Sequence, residues 1–184
     1  IKKDGKTQIS YIYDQIGNIL KVIDTVGNVT AYTFDKASRM ETVTFYGNKL
    51  TYQYDENGNR SSIAYSSGVK EVYEYNKDNK IISLANKKPN GDEISRYNYT
   101  YDAVGRQATK TDSYGTTNYT YDKVGRILKV DGPGKIDIYA YDGAGNRIAL
   151  NETYKSLQPS GFVDDTSGND VQYILKKTDY TYSN

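Results

Sequence analysis

YTYDKVGRILKV, residues 119–130, reads almost the same as YIYDQIGNILKV, residues 11–22: eight of twelve positions are identical across a separation of 108 residues. Similarity of that kind within one chain reflects duplication of a small unit. The unit recurs as YTFDKAS (32–38), YQYDENG (52–58), YTYDAVG (99–105) and YAYDGAG (139–145), and a weaker copy, YEYNKDN (73–79), fills the long gap. The second aromatics are Tyr13, Phe34, Tyr54, Tyr75, Tyr101, Tyr121 and Tyr141, spaced by 21, 20, 21, 26, 20 and 20 residues. The chain is therefore an array of about seven supersecondary units.

Within one unit, Tyr11 and Tyr13 lie two apart and share a face of an extended strand, as do Leu20 and Val22 after the polar interval. Aromatic and β-branched residues alternate, and glycine recurs too often for helices, so each unit reads as two strands. The interval Asp14-Gln15-Ile16-Gly17 fits a type I turn, with aspartate bonding to a backbone N–H ahead and glycine in the left-handed region closing a bulged hairpin. A second corner follows about ten residues later. Asp24–Gly27, Asp112–Gly115 and Asp131–Gly134 repeat the D-x-x-G spacing, with looser versions at Thr44–Gly47, Tyr65–Gly68 and Lys88–Gly91.

A chain that reverses about every ten residues makes strands of about six residues joined by short turns. The expected fold class is all-β: a repetitive antiparallel hairpin meander, about 20 residues and two strands per repeat. A sheet of about fifteen strands accumulates 20–25° of twist per strand pair, so it is expected to coil into a spiral or curved sheet, part of a shell. Equivalent tyrosines of neighbouring repeats are expected to form ladders. Leu20, Val22, Val43, Ile63, Ile82, Leu84, Leu128, Val130, Ile148 and Leu150 would form an aliphatic one.

The array covers residues 1–150, with a longer loop at 85–96 tipped by Pro89-Asn90-Gly91. Residues 151–184 read as a degenerate repeat or a projecting loop, followed by the start of a further repeat at Tyr182. Ile1 is no initiator methionine, so the expectation is a piece of a longer protein.

Composition narrows function. With 36% apolar residues in 184 there is little for a deep core, and 21 tyrosines against three phenylalanines and no tryptophan must supply much of the buried area. Twenty-four basic and 23 acidic residues leave a net charge of +1, which argues against nucleic acid as a partner. The chain has no cysteine and no histidine, so thiolate chemistry, disulfides and the commonest general base and transition-metal ligand are missing. No apolar run is long enough to span a membrane.

The recurring corner residues are Tyr13, Asp14 and Gly17; Phe34 and Asp35; Tyr54, Asp55 and Gly58; Tyr101, Asp102 and Gly105; Tyr121, Asp122 and Gly125; and Tyr141, Asp142 and Gly145. An active site needs no six copies, so turn formation is the better account of these aspartates than catalysis or metal binding. Calcium-type loops at Asp55–Asn59 and Asp165–Asn169 lack the glycine at position six and the glutamate at twelve. Arg39, Arg60, Lys80, Arg106, Arg126 and Arg147 follow the turns and are expected to pair with acidic residues of the next rung. The tyrosines also suit stacking on sugar rings, against a reading in which they join strands.

The pattern G-x(3–9)-Y-x-Y-D-x-x-G-[RN] resembles the YD repeats of the RHS and wall-associated proteins. Gly115 followed by YTYDKVGR and Gly134 followed by YAYDGAGN carry it most closely. The resemblance implies a spiralling β-strip that forms a hollow shell, as in bacterial polymorphic toxins, insecticidal toxin complexes and teneurins; some members are credited with carbohydrate binding. With histidine and cysteine missing and every candidate carboxylate repeated, no enzyme, cofactor or metal site is expected. The expected partners are neighbouring repeats of the same longer chain and an encapsulated toxin or effector domain, with glycans bound by an adhesion module as the alternative. The expected location is secreted or at the cell surface of a bacterium, and an isolated fragment is expected to self-associate. Nothing here matches the core that ends such shells, so self-cleavage is not carried over to any residue.

Overall fold

Tyrosine- and threonine-rich segments broken by a turn about every ten residues have one regular outcome, strands paired to their sequence neighbours. The computed structural model describes residues 2–3, 6–7, 9–156 and 172–179. A short hairpin, β1 (Lys2–Lys3) and β2 (Lys6–Thr7), precedes the main sheet. The sheet comprises β3 (Ser10–Tyr13), β4 (Ile19–Ile23), β5 (Val29–Phe34), β6 (Met40–Phe45), β7 (Asn48–Tyr54), β8 (Arg60–Tyr65), β9 (Lys70–Tyr75), β10 (Ile81–Lys87), β11 (Glu93–Tyr101), β12 (Gln107–Asp112), β13 (Gly115–Tyr121), β14 (Ile127–Asp131), β15 (Lys135–Tyr141), β16 (Arg147–Ser156) and β17 (Gln172–Asp179). These 15 strands are ordered in space as they are in sequence, and the sheet does not close. Every described pairing within it is antiparallel. The chain divides into two compact units, Ile1–Arg96 and Tyr97–Asn184.

Register shows what the repeat encodes. The first aromatic of each triplet pairs with an aliphatic residue on the return strand: Tyr11 with Val22, Tyr32 with Val43, Tyr52 with Ile63, Tyr73 with Leu84, Tyr119 with Val130 and Tyr139 with Leu150, while Tyr99 meets Lys110. Directly paired residues share a face, so aromatic and aliphatic rows interleave on one side of the sheet. Each YD hairpin also carries a bulge one residue further in, which leaves Leu20, Glu41, Ser61, Ile82, Ala108, Leu128 and Ile148 unpaired.

The bulge corrects the expected aliphatic ladder, which mixed two positions. Paired Ile63 is 6% exposed, whereas the bulge residues Leu128 and Ile148 are each 39% exposed. The tyrosine ladder is corrected as well. Equivalent residues two strands apart are about 9.5 Å from each other, beyond ring contact. Among the described residues, ring pairs occur at Tyr11–Tyr13 and Phe45–Tyr46, and neither joins equivalent positions of successive repeats.

The opposite face is built from small and hydroxylated residues. Thr33 bonds Thr42 at 2.8 Å, Ser62 bonds Gln53 at 2.8 Å, and Thr100 bonds Thr109 at 2.7 Å, each from a directly paired position. Ala85, Ser62 and Ser83 lie almost wholly buried among their larger neighbours. There is no second layer over either face among the described residues, and no large side chain is fully buried.

Residues 85–96 lengthen strands rather than forming a long loop. β10 runs to Lys87 and β11 begins at Glu93, joined by a turn in which the Lys88 N–H donates to Asp92 O and the Gly91 N–H to Lys88 O. The second corners are also more varied than D-x-x-G suggests. Asp24–Asn28 and Tyr65–Val69 repeat the YD-corner geometry, but Asp112 pairs with Gly115 and Phe45 with Asn48 across two-residue loops. At the 131–134 corner the Gly132 N–H instead donates to Lys135 O. β16 extends the array to Ser156; the expected degenerate stretch at 157–171, with its calcium-type loop, and the start of a repeat at 180–184 lie outside the described residues.

Candidate functional site

The YD corner recurs with one geometry. At Asp122, the carboxylate oxygen Oδ1 accepts the backbone N–H groups of Val124 (3.0 Å) and Arg126 (2.8 Å), and Oδ2 accepts Arg126 Nε at 2.6 Å. The Asp122 N–H donates to Arg126 O and the Gly125 N–H to Asp122 O, with Gly125 at φ +91. Few residues other than glycine adopt that conformation without strain. Ser38 and Asn79 occupy the same place with φ 58 where the sequence lacks glycine.

Asp35 with Arg39 and Asp102 with Arg106 repeat the corner. Asp14, Asp55 and Asp142 make the equivalent bonds to Asn18, Asn59 and Asn146 through Nδ2. The Arg39 backbone N–H, then its guanidinium, holds the Asp35 carboxyl below the usual carboxylate range. Asn146, through its side chain first and its backbone second, does the same for Asp142. At Asp122 partial burial pushes the other way, and the bonds from Arg126 outweigh it.

The arginines extend beyond their own corner, and here the expected acidic pairing to the next rung is corrected. Arg39, Arg106 and Arg126 bind the aspartate four residues back. Their guanidinium carbons lie 4.5, 4.7 and 4.6 Å from the ring centroids of Tyr54, Tyr121 and Tyr141, the second aromatics of the following repeats. Arg106 Nη1 also reaches the carbonyl of Asp122, the next corner, at 3.0 Å. Arg60 and Arg147, one position later in the repeat, lie instead over Tyr52 and Tyr139 of their own hairpins.

A third contact completes the link. The hydroxyls of Tyr54, Tyr75, Tyr121 and Tyr141 donate to the carbonyls of Met40, Arg60, Gln107 and Ile127 at 2.7–2.9 Å. Each acceptor opens the preceding repeat's return strand, immediately before its bulge residue, so the tyrosine takes up a carbonyl beside the bulge. Phe34 has the ring without the hydroxyl. Tyr13, on the first strand of the described sheet, is 54% exposed.

The YD triplet is thus a connector between rungs: aspartate and glycine turn the chain, arginine grips its own aspartate and the next ring, and tyrosine ties back to the preceding rung. The second corner has a packing counterpart. A Cβ on Gly68 would meet Pro89 Cβ at 2.8 Å, and one on Gly115 would meet Pro133 Cγ at 3.0 Å, so each glycine makes room for a proline of the next such corner.

Sequence reasoning located the corner but missed the arginine-on-ring and hydroxyl-to-carbonyl contacts. The alternation of Arg and Asn four residues after Asp was the signal available. An open cleft of about 340 Å³ lies beside Asp35, Arg39, Glu41 and Tyr52. Its carboxylates are engaged, Asp35 by Arg39 and Glu41 by the Thr33 hydroxyl. Elsewhere on the tyrosine face, Glu71 accepts the hydroxyls of Tyr65 and Tyr73. Burial first and that bond second push the Tyr73 phenol up to about 12. Among the described residues no cluster of three acidic side chains is placed to hold a metal ion.

Residues 1–158 match the family described as the teneurin YD-shell. This chain belongs to the YD-shell family. Among solved structures, the chain is similar to the Photorhabdus luminescens Tc holotoxin pore, with a TM-score of 0.70 at 17% identity over 79% of this chain and 9% of that one. It is similar also to TcdB2–TccC3 (TM-score 0.71, 17% identity, 79% of this chain and 9% of that one) and to TcdB2–TccC3–Cdc42 (TM-score 0.71, 16% identity, 91% and 10%). The YD-shell segment described here thus spans about a tenth of the length of the structures it resembles. No curated protein matches its sequence.

Proposed function

We propose that this segment is non-enzymatic and structural, a length of wall in a YD-shell that encloses or displays a toxin or effector domain of a larger secreted or surface-exposed bacterial protein. The observation that carries the proposal is the repeated link between rungs. Tyrosine, arginine and aspartate, the residues a catalytic or sugar-binding reading would use, are committed to holding one hairpin to the next. A strip whose hairpins are fastened repeatedly in the same way extends by adding repeats, and accumulated twist makes a long strip curl. The similarity to Tc toxin structures supports this reading of the fold.

The adhesion alternative asks for free tyrosine faces. Arginines cover the rings of Tyr54, Tyr121 and Tyr141, and their hydroxyls are bound. Electron microscopy of the full-length parent tests the wall directly. The expected image is a hollow particle with this segment in its wall, and a solid rod overturns the proposal.

A further inference from the structure

One second corner differs from the others in its side chains. Five second hairpins carry, on the tyrosine face, the pairs Val22 with Thr30, Val43 with Leu50, Ile63 with Glu71, Lys110 with Thr117 and Val130 with Asp137. Two residues after the first member of each pair stand Asp24, Phe45, Tyr65, Asp112 and Gly132. The sheet therefore accepts polar residues at both places, and it has no need of its own for Leu50 and Phe45. With Tyr65 of the next corner they wall a cleft of about 240 Å³, rimmed by Asn48, Ser66 and Ser67. Tyr46 stands beside it, 73% exposed, with its ring edge-on to Phe45 at 6.4 Å. Its backbone is strained: Tyr46 has φ 47 and Gly47 φ 76, in a two-residue loop that favours Asn-Gly. Strain in a bulky, exposed residue marks a side chain kept for a purpose outside the fold.

We infer that this cleft docks a proline-rich segment of a partner protein. Its walls are apolar and aromatic. Lys49, also at the cleft, pairs with Thr44 and so carries its side chain on the opposite face, which leaves the site uncharged. The Oγ atoms of Ser66 and Ser67 accept the backbone N–H groups of Lys49 and Val69 at 3.3 and 3.5 Å, and each hydroxyl keeps its own hydrogen to donate. A polyproline helix matches both features: its rings lie against aromatic walls, and its carbonyls, unpaired within the helix, accept from such donors. The sheet already uses proline in this way. Pro89 covers Gly68, where an added Cβ would meet it at 2.8 Å, and Pro133 covers Gly115 at 3.0 Å. Gly47 has nothing within 4 Å of that point, and the corner that follows it brings Ser66 and Ser67 instead of a proline. The inference goes beyond the wall reading and holds whether or not the parent shell is hollow.

The test titrates the isotope-labelled 184-residue chain with capped hexaproline and follows the backbone amides by nuclear magnetic resonance. Saturable shifts are expected at Phe45–Asn48 and at Ser66–Gly68, with a dissociation constant on the order of 1 mM. Phe45→Asp, the residue of Asp24 and Asp112, is expected to weaken binding about tenfold, and Leu50→Thr, the residue of Thr30 and Thr117, about fivefold. Both variants install residues that equivalent hairpins already carry, and unchanged amide shifts in β11–β14 check that the sheet persists. Tyr46→Asn separates binding from folding: it is expected to slow hydrogen exchange in β6 and β7 by relieving the strain while weakening hexaproline about threefold. No shift at about 10 mM peptide overturns the inference. An equal response to a glycine–serine hexapeptide, or affinity indifferent to both Phe45→Asp and Tyr46→Asn, overturns it as well. So does saturation by neutral monosaccharides without a response to hexaproline, which would make the cleft a sugar site, or a dimer of the chain that Phe45→Asp dissociates, which would make a second copy the occupant.

Discussion

Replacing Tyr121 by phenylalanine removes one oxygen and leaves the ring in place, which isolates the bond that ties the repeat to the one before. The hydroxyl donates to the Gln107 carbonyl at 2.8 Å, and the ring lies 4.7 Å from the Arg106 guanidinium. A hydrogen bond of this kind contributes a net of about 1 kcal/mol. The carbonyl is only part-buried, so water partly replaces the phenol and the loss stays near that figure. Tyr121→Leu also removes the cation–π contact, a further 0.5–1 kcal/mol or so, together with aromatic area. A repeat array does not unfold reliably in one step, so the readout is hydrogen exchange resolved by strand. A loss of about 1 kcal/mol raises local opening about fivefold. For Tyr121→Phe that rise is expected in β12 as well as in β13 and β14, with a larger rise for Tyr121→Leu. Faster exchange confined to β13 and β14, with β12 unchanged, would refute the rung-to-rung role of the hydroxyl.

The mirror substitution, Phe34→Tyr, supplies the missing hydroxyl to the only strong YD repeat that lacks it; slower exchange in β4 and β5 is expected. Gly125→Ala has open space around the new Cβ but φ +91, so backbone strain of about 1–2 kcal/mol should appear in the hydrogen exchange of β13 and β14, with Gly125→Asn milder because Asn79 already tolerates that position. Gly68→Ala should be worse than Gly125→Ala, since its Cβ meets Pro89 at 2.8 and 2.9 Å, and adding Pro89→Ala should recover part of the loss. Asp35, Asp102, Asp122 and Asp142 have carboxyls held below their ordinary value near 3.9. Their contribution to stability is present above about pH 4 and is lost as pH falls through the lower folded-state values, so the urea midpoint should drop between pH 5 and pH 2.5. Tyr73 has the opposite sign: with its phenol raised to about 12, its contribution is complete below about pH 10 and is lost as pH rises through 12. Ultraviolet titration should show a late-ionising tyrosine that Tyr73→Phe removes.

The two-strand unit and its YD corner were legible because they rest on local chemistry: alternating aromatics for the strands, an aspartate and a glycine three residues apart for the turn. The strand order was legible because short turns leave a chain no option but to pair with its neighbours. What the linear pattern hid were contacts that depend on the bulge. Shifting Ile82, Leu128 and Ile148 out of register exposes residues that periodicity places in a ladder, and it frees the carbonyl that the next tyrosine needs. The arginines were visible, but grouping Arg39 with Arg60 merged two positions that have different partners, since Arg39 follows Asp35 by four residues and Arg60 follows Asp55 by five. The small, hydroxylated opposite face was written in the residue between the two aromatics, Thr33, Thr100 and Thr120, and passed unread beside the tyrosines. In the stretch 85–96, Pro89-Asn90-Gly91 marks the turn correctly, while strand pairing claims the residues around it.

The central claim is that the YD motif joins successive rungs, and a double-mutant cycle tests it most directly. Arg126→Met and Tyr141→Leu, alone and together, should show a coupling of about 0.5–1 kcal/mol in strand-resolved hydrogen exchange, since the guanidinium lies over that ring. The same cycle between Arg126 and Tyr121, the second aromatic of its own hairpin, should give coupling near zero. No coupling to Tyr141, or equal coupling to both tyrosines, would contradict the account.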